Sequence, residues 1–204
     1  MFGILRNDIL NIAVKQKIEK ILRHHKKKKI TTENFKSSAV LIPLFYSQGQ
    51  YHVLFTKRSD EVDFHKGQVC FPGGGPEPGD SSLLQTALRE AEEEIGLKAK
   101  DVEILGELDD NPTYTSGYVI SPFVAFIPYP YPFKLNHKEV EEIFSVPLLA
   151  LMDEAIFRQD YYPVQNKSWP GYAYEYQGHI IWGATARILR QFIELLKSES
   201  GALG

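Results

Sequence analysis

Cysteine is nearly lacking from this chain: Cys70 is the only one in 204 residues. A lone cysteine excludes an intrachain disulfide and a cysteine-built metal cluster, and it fits a reducing compartment, so a cytoplasmic location is expected. Charge of one sign is lacking as well. Lys plus Arg number 23 against 26 Asp plus Glu, a formal net charge of only -3, and no global basic field speaks for nucleic acid. No apolar run approaches the roughly 20 residues of a spanning helix, so a soluble protein without a membrane partner is expected. The one cationic run, residues 26–29 behind His24 and His25, is short. It reads as a solvated helix end, where cations are favourable, ahead of a phosphate-steering patch.

A hydrophobic content of 43% over this length is enough for one good core, so a single domain with elaborations is expected rather than two. Residues 7–23 set Ile9, Leu10, Ile12, Ala13, Ile18, Ile21 and Leu22 at helical spacing but include Asp8 and Glu19 and no cleavage-site pattern. That is a packed amphipathic helix rather than an address, and residues 1–37 are read as a helical extension on a domain of residues 38–204. Two apolar, β-rich runs, 39–46 and 51–56, are joined by SQGQ as a hairpin. A short strand at 69–71 delivers a glycine turn. Residues 81–95 follow as a helix, then strands at 102–108 and 118–127, after which Pro128, Pro130 and Pro132 break regular structure. Residues 140–144 and 147–152 read as short helical pieces, 172–176 and 179–182 as a hairpin around Gln177 and Gly178, and 185–197 as a closing amphipathic helix. Cys70 and Trp182 read as core. No internal repeat or long linker is present, and strands mixed with few helices define an α+β class.

The most informative stretch is residues 73–97, GGGPEPGDSSLLQTALREAEEEIGL, which joins a glycine turn to a helix with two faces. Leu84, Ala87, Leu88, Ala91 and Ile95 form an apolar side, while Glu90, Glu93 and Glu94, three and four apart, fall on another. Carboxylates so close repel, and a hard divalent cation, Mg²⁺ or Mn²⁺, is the natural partner for them. Arg89, four residues before Glu93, is placed to hold one carboxylate while the others coordinate. Asp80 or Ser81 is a candidate N-cap and Gly96 a helix stop.

Residues 89–97, REAEEEIGL, resemble the second half of the Nudix box, REUxEExGU with U an aliphatic or small apolar residue, at every fixed position. The first half departs. The usual glutamate of the box falls on Ser81, with Asp80 one place earlier and Glu77 further up the loop. A second segment, residues 54–74, LFTKRSDEVDFHKGQVCFPGG, resembles the signature preceding the box in the coenzyme A pyrophosphatase branch, roughly LLTxRSxxxxxHxGxVxFPGG, whose members tend to shift the acidic residue as Asp80 does. Weaker echoes lie at residues 112–122, 139–148 and 180–189. Together they cover most of the chain from about Ser38 onward.

The resemblance implies an α/β/α sandwich with a mixed β-sheet between helices, and hydrolysis of the diphosphate of coenzyme A or its derivatives to 3',5'-ADP and a 4'-phosphopantetheine product. A rival within the same chemistry is ADP-ribose or another nucleoside diphosphate derivative; a rival of another class is a non-catalytic Nudix-fold ligand sensor, against which the intact acid cluster speaks. Glu90, Glu93 and Glu94 are the expected metal ligands, with backbone carbonyl help near Gly74 as in relatives. Glu93, Glu94, Arg89 and Asp80 are the expected catalytic set, and the proton acceptor is left open among these acids, Glu77 and the Glu139, Glu141, Glu142 group. Gly73 and Gly74 are expected to approach the substrate. Arg58 is a candidate phosphate grip, its fork suiting phosphate oxygens, whereas Lys57 reads as exposed decoration. For His65, a structural hydrogen bond and a substrate contact are both open; for Tyr114 and Tyr118, so are adenine stacking and aromatic packing. The expected partner is a small molecule, and the resemblance allows a homodimer.

Overall fold

The computed structural model describes residues 2–61, 66–113, 116–164 and 167–198. Helix α1 (Phe2–His24) leads into a hairpin of β1 (Lys36–Ser47) and β2 (Gln50–Arg58), then two short strands, β3 (Val69–Cys70) and β4 (Gly73–Gly74), and helix α2 (Leu83–Ile95). Strands β5 (Glu103–Glu107), β6 (Asn111–Thr113), β7 (Tyr118–Phe126) and β8 (Val140–Pro147) follow, then α3 (Leu148–Leu151), β9 (Phe157–Val164), β10 (Lys167–Tyr176), β11 (His179–Trp182) and α4 (Gly183–Ser198). The β1–β2 and β10–β11 hairpins turn on a left-handed pair, Gln48 (φ 50°) with Gly49 (φ 81°) and Gln177 (φ 48°) with Gly178 (φ 84°). Two positive φ values in a two-residue loop match the twist of the flanking strands.

The main sheet runs β3-β2-β1-β7-β5, with β4 on β1, β6 on β7 and β8 on β2. It is mixed: β1 and β7 are parallel, in register from Lys36↔Tyr118 to Leu44↔Phe126, while β1 and β2 are antiparallel. Strand alternation then builds two cores. Ile42 and Leu44 face Ile18, Ile21 and Leu22 of α1, Leu189, Phe192 and Ile193 of α4, and Tyr174 and Ile181 of a small sheet ordered β11-β10-β9. Ala39, Leu41 and Phe45 face the other way, onto Ala87, Ala91 and Ile95 of α2. Each such large side chain, fully buried, contributes roughly 1.5–3 kcal/mol relative to exposure. The result is a mixed sheet between helices, the α+β sandwich expected.

Four local readings change. Residues 140–144, expected as helix, form the start of β8, which pairs antiparallel with β2 from His52↔Pro147 to Arg58↔Val140. Their apolar spacing suits either period, and the free edge of β2 decides. Strands β6 and β9 were not anticipated, and β10 begins five residues before the expected hairpin strand. Trp182 is 51% exposed on the outer face of β11 rather than core. The lysine run lies beyond the end of α1, and Lys27 is drawn from solvent to Glu107 at 2.8 Å and Asp110 at 3.1 Å. Among the described residues, no helix is long and apolar enough to cross a membrane.

Candidate active site

The glycine turn and α2 meet because two side chains are missing. At Gly73 (φ 155°), a Cβ would lie 2.2 Å from the Ala39 carbonyl oxygen, and at Gly74 it would lie 2.5 Å from the Glu90 carboxyl. Only glycine lets this backbone pair with β1 and still lie against a carboxylate. Ser38 Oγ donates to the Gly74 carbonyl at 2.9 Å, and the Gly73 N–H points to Glu94 Oε2 at 3.3 Å. The cap of helix α2 lies one residue after Ser81 and two after Asp80, the candidates of the sequence. Ser82 is the N-cap, its hydroxyl accepting from Gln85 N, and Gly96 closes the helix at φ 72°.

Arg89 gathers the first group of acids. Its guanidinium donates to Asp80 through Nε at 3.2 Å and 3.3 Å and through Nη2 at 3.1 Å, to Glu93 Oε2 at 2.9 Å and to the Gly75 carbonyl at 2.9 Å; it also lies 3.0 Å from Glu90 Oε1. Asp80 accepts further hydrogen bonds from Thr86 Oγ1 and the Glu77 N–H, both at 2.9 Å. These donors, Arg89 first, hold the Asp80 carboxyl down at about 2. So placed, Asp80 anchors Arg89 and through it Glu90 and Glu93. Ser81, at the position of the usual box glutamate, points elsewhere, donating from N and Oγ to Gln85 Oε1.

The second group has the opposite character. Glu94 is 3% exposed, and burial first, then the charges of Glu90 and Glu139, push its carboxyl up to about 8, with Arg58 and the Gly73 N–H opposing. Burial also raises Glu90, against the pull of Arg89 and with Glu93 and Glu139 adding to the rise. Glu139 reaches this cluster from the loop before β8, where Asn136 Nδ2 donates to its Oε1 at 2.9 Å. Glu93, by contrast, is half-exposed and turned onto Arg89, so the three helix acids do not converge on a single point as the helical spacing implied. Among the described residues, no three acidic, histidine or cysteine side chains are gathered closely enough to hold an ion as they stand. The donor set nevertheless fits a hard divalent cation, since buried carboxylates that raise one another's pKa need positive charge between them.

Arg58 sits beside Glu94 and Cys70, with its Nε buried and lacking a hydrogen-bond partner. The Cys70 thiol, pushed up to about 11 mainly by burial, hydrogen-bonds Thr56 Oγ1 at 3.3 Å and stays protonated near neutrality. Lys57 pairs with Glu141 at 3.0 Å. Tyr118 opens β7, half-buried, its main chain bonded to Thr113 Oγ1. His65 and Tyr114 lie outside the described residues. Sequence reasoning offered Glu139 only as one of three neighbouring acids and did not consider Asn136. Their signal was slight, since the ties to α2 span more than 40 residues of chain.

A glycine turn against an acidic helix, on a mixed sheet between helices, defines a class: hydrolases of phosphoric anhydrides that work with a divalent metal. A NUDIX domain model matches residues 35–166, and the chain belongs to that family. It is 37% identical to an uncharacterized Nudix hydrolase, NudL, of Photorhabdus laumondii over 80% of this chain and 86% of the relative. A NudL of Yersinia enterocolitica is 38% identical over 79% of this chain and 82% of its own length. Among solved structures, a MutT/nudix family protein from Enterococcus faecalis aligns with TM-score 0.53 at 15% identity, over 88% of this chain and 69% of that one, which speaks for the fold alone. The protein is therefore a Nudix pyrophosphohydrolase acting on phosphorus-containing anhydrides, in a family that generally uses divalent metals such as Mg²⁺ or Mn²⁺.

Proposed function

We propose that this enzyme hydrolyses the diphosphate of coenzyme A, or of its thioesters or oxidised forms, with Mg²⁺ or Mn²⁺. The observation that carries the metal is buried Glu94 with Glu90 and half-buried Glu139 beside it: burial and neighbouring charge push the Glu90 and Glu94 carboxyls up, and Arg58 and Arg89 only partly oppose the rise. The coenzyme A assignment rests on the segment 54–74, which ends on the glycine turn of this site. When bound, the ion neutralises phosphoryl oxygens and lowers the pKa of water.

Glu90, Glu93 and Glu94 would hold the metal with help from a backbone carbonyl near Gly74, Glu93 exchanging Arg89 for it. Arg89, anchored by Asp80, keeps the carboxylate face of α2 in place. Arg58 grips a phosphate oxygen from the floor of the site with its fork. Tyr118, at the start of β7, is the described candidate for stacking on an adenine, with Tyr114 and His65 the further substrate-binding candidates of the sequence. An acid of the cluster, Glu139 being the one outside α2, accepts the proton as water attacks phosphorus and the bridging P–O bond breaks, the leaving phosphate departing with the bridging oxygen.

A mass-spectrometric panel of coenzyme A, acyl-CoA, dephospho-CoA, ADP-ribose, NADH and dNTPs with either metal tests the reading. Coenzyme A is expected to give 3',5'-ADP and a phosphopantetheine. Preference for dephospho-CoA would argue against recognition of the 3'-phosphate, and preference for ADP-ribose would overturn the substrate assignment.

A further inference from the structure

The loop before β8 is tied to α2 and to β2 by main-chain and side-chain bonds that converge on one residue. The Asn136 N–H donates to the Glu94 carbonyl at 2.9 Å, two residues after Lys134 N has donated to the Ile95 carbonyl at 2.9 Å. The Asn136 carbonyl accepts from Glu139 N at 2.9 Å and Val140 N at 2.8 Å, closing a turn, and its side chain completes that turn from Nδ2 to Glu139 Oε1 at 2.9 Å. On the other flank, Ser59 N donates to the Glu139 carbonyl at 2.9 Å and Ser59 Oγ to the Lys138 carbonyl at 2.8 Å. The backbone of Glu139 is thus held at both ends, and its carboxylate by one amide. That amide restrains a half-buried carboxylate whose charge reaches Glu90 and Glu94 and adds to the rise of both carboxyls.

We propose that Asn136 is a positioning residue: its main chain registers Glu139 against Glu94 through one turn of chain, and its side-chain amide holds the Glu139 carboxylate in one orientation. The inference rests on the reading of Glu139 as a working acid of the site. Outer hydrogen bonds of this kind orient functional carboxylates, and their loss typically lowers activity about 10- to 100-fold.

The test uses the full chain with coenzyme A and Mn²⁺, or ADP-ribose if the substrate panel favours it. Asn136→Asp keeps the shape and removes the donor, and Asn136→Ala removes the side chain, with circular dichroism as a check on the fold. Both are expected to lower kcat about 10- to 100-fold with KM little changed, and to lower it no further in a Glu139→Gln background. An equal loss in both backgrounds, or no loss from Asn136→Asp, overturns the proposal. A Glu139→Gln protein with wild-type kcat overturns instead the reading of Glu139 beneath it. A second readout needs neither turnover nor metal. In ¹⁵N-labelled, metal-free protein, the Asn136 side-chain amide is expected to be slow in exchange and to move and lose protection in Glu139→Ala; an amide indifferent to that change overturns the proposal as well.

Discussion

The two acid groups on and around α2 share one helix and one chemistry yet sit at opposite electrostatic extremes. Asp80 is held down at about 2 by Arg89 and its neighbouring donors, whereas Glu94, less than four helical turns along the chain, is pushed up to about 8 by burial and by Glu90. The difference lies in where positive charge comes from. The Asp80 group is completed by a residue of the protein itself. The Glu94 group is left short of it, and the proposed metal ion would bring its positive charge there.

Breaking the second group should have the largest effect. Glu94→Gln is expected to lower turnover about 1,000-fold or more, in line with the several kcal/mol that metal-assisted charge stabilisation supplies, with a native circular dichroism spectrum. A mutant with wild-type rate would remove Glu94 from the metal site. Next in size is Gly74→Ala. Its methyl would enter the space of the Glu90 carboxyl, and a displacement on the order of 1 Å costs about 100-fold in kcat. Wild-type kcat in that variant would mean that Glu90 has room to retreat without consequence. Arg89→Ala attacks the first group, leaving Asp80 without its main partner and Glu93 loose. Activity should fall about 10- to 100-fold and Tm by several degrees, both measurable on one preparation.

Titration sharpens the comparison, because the two groups have opposite signs. Glu94 has a raised folded pKa, so its contribution to the stability of the metal-free protein is fully present below about 4.5 and is lost as pH rises toward about 8, by roughly 3–5 kcal/mol at most. Asp80 has a depressed one, so its contribution is present above 3.8 and is lost as pH falls through about 2. Thermal melts from pH 4.5 to 9 in EDTA should therefore slope downward and flatten above about 8, and Mn²⁺ or the Glu94→Gln change should reduce that slope. A flat EDTA profile would contradict the buried acid cluster. The smallest effect belongs to Ser81→Ala, expected to change kcat less than about twofold, since the Ser81 hydroxyl is turned onto Gln85 and away from the acids. A large loss would return the usual box position to the mechanism.

Much of this was legible from local pattern. The helix of residues 81–95, its apolar and acidic faces, the glycine turn, the two expected hairpins and the existence of the β7 strand are written in short-range periodicity and turn chemistry, which act within a few residues; the parallel pairing of β7 with β1 is not. Gln48-Gly49 and Gln177-Gly178 adopt the left-handed pair that their strands require. Residues 140–144 failed the same method. Val140, Ile143 and Phe144 satisfy a helical spacing, and what makes them a strand is β2, more than 80 residues earlier, whose edge would otherwise hold unpaired donors and acceptors. Trp182 failed for a related reason: Ile181 takes the core position of β11, and strand alternation turns its neighbour outward.

The amino-acid sequence by itself determined the family, the acidic helix and the glycines that let it approach β1, because those are properties of spacing along one segment. Which acid does what was decided only by tertiary structure. Asp80 and Glu94 are the same functional group, and nothing within a few residues distinguishes a carboxylate that meets Arg89 from one buried beneath Gly73 and faced by Glu139. Burial and the nearness of other charges set a pKa, and both are created when distant segments pack.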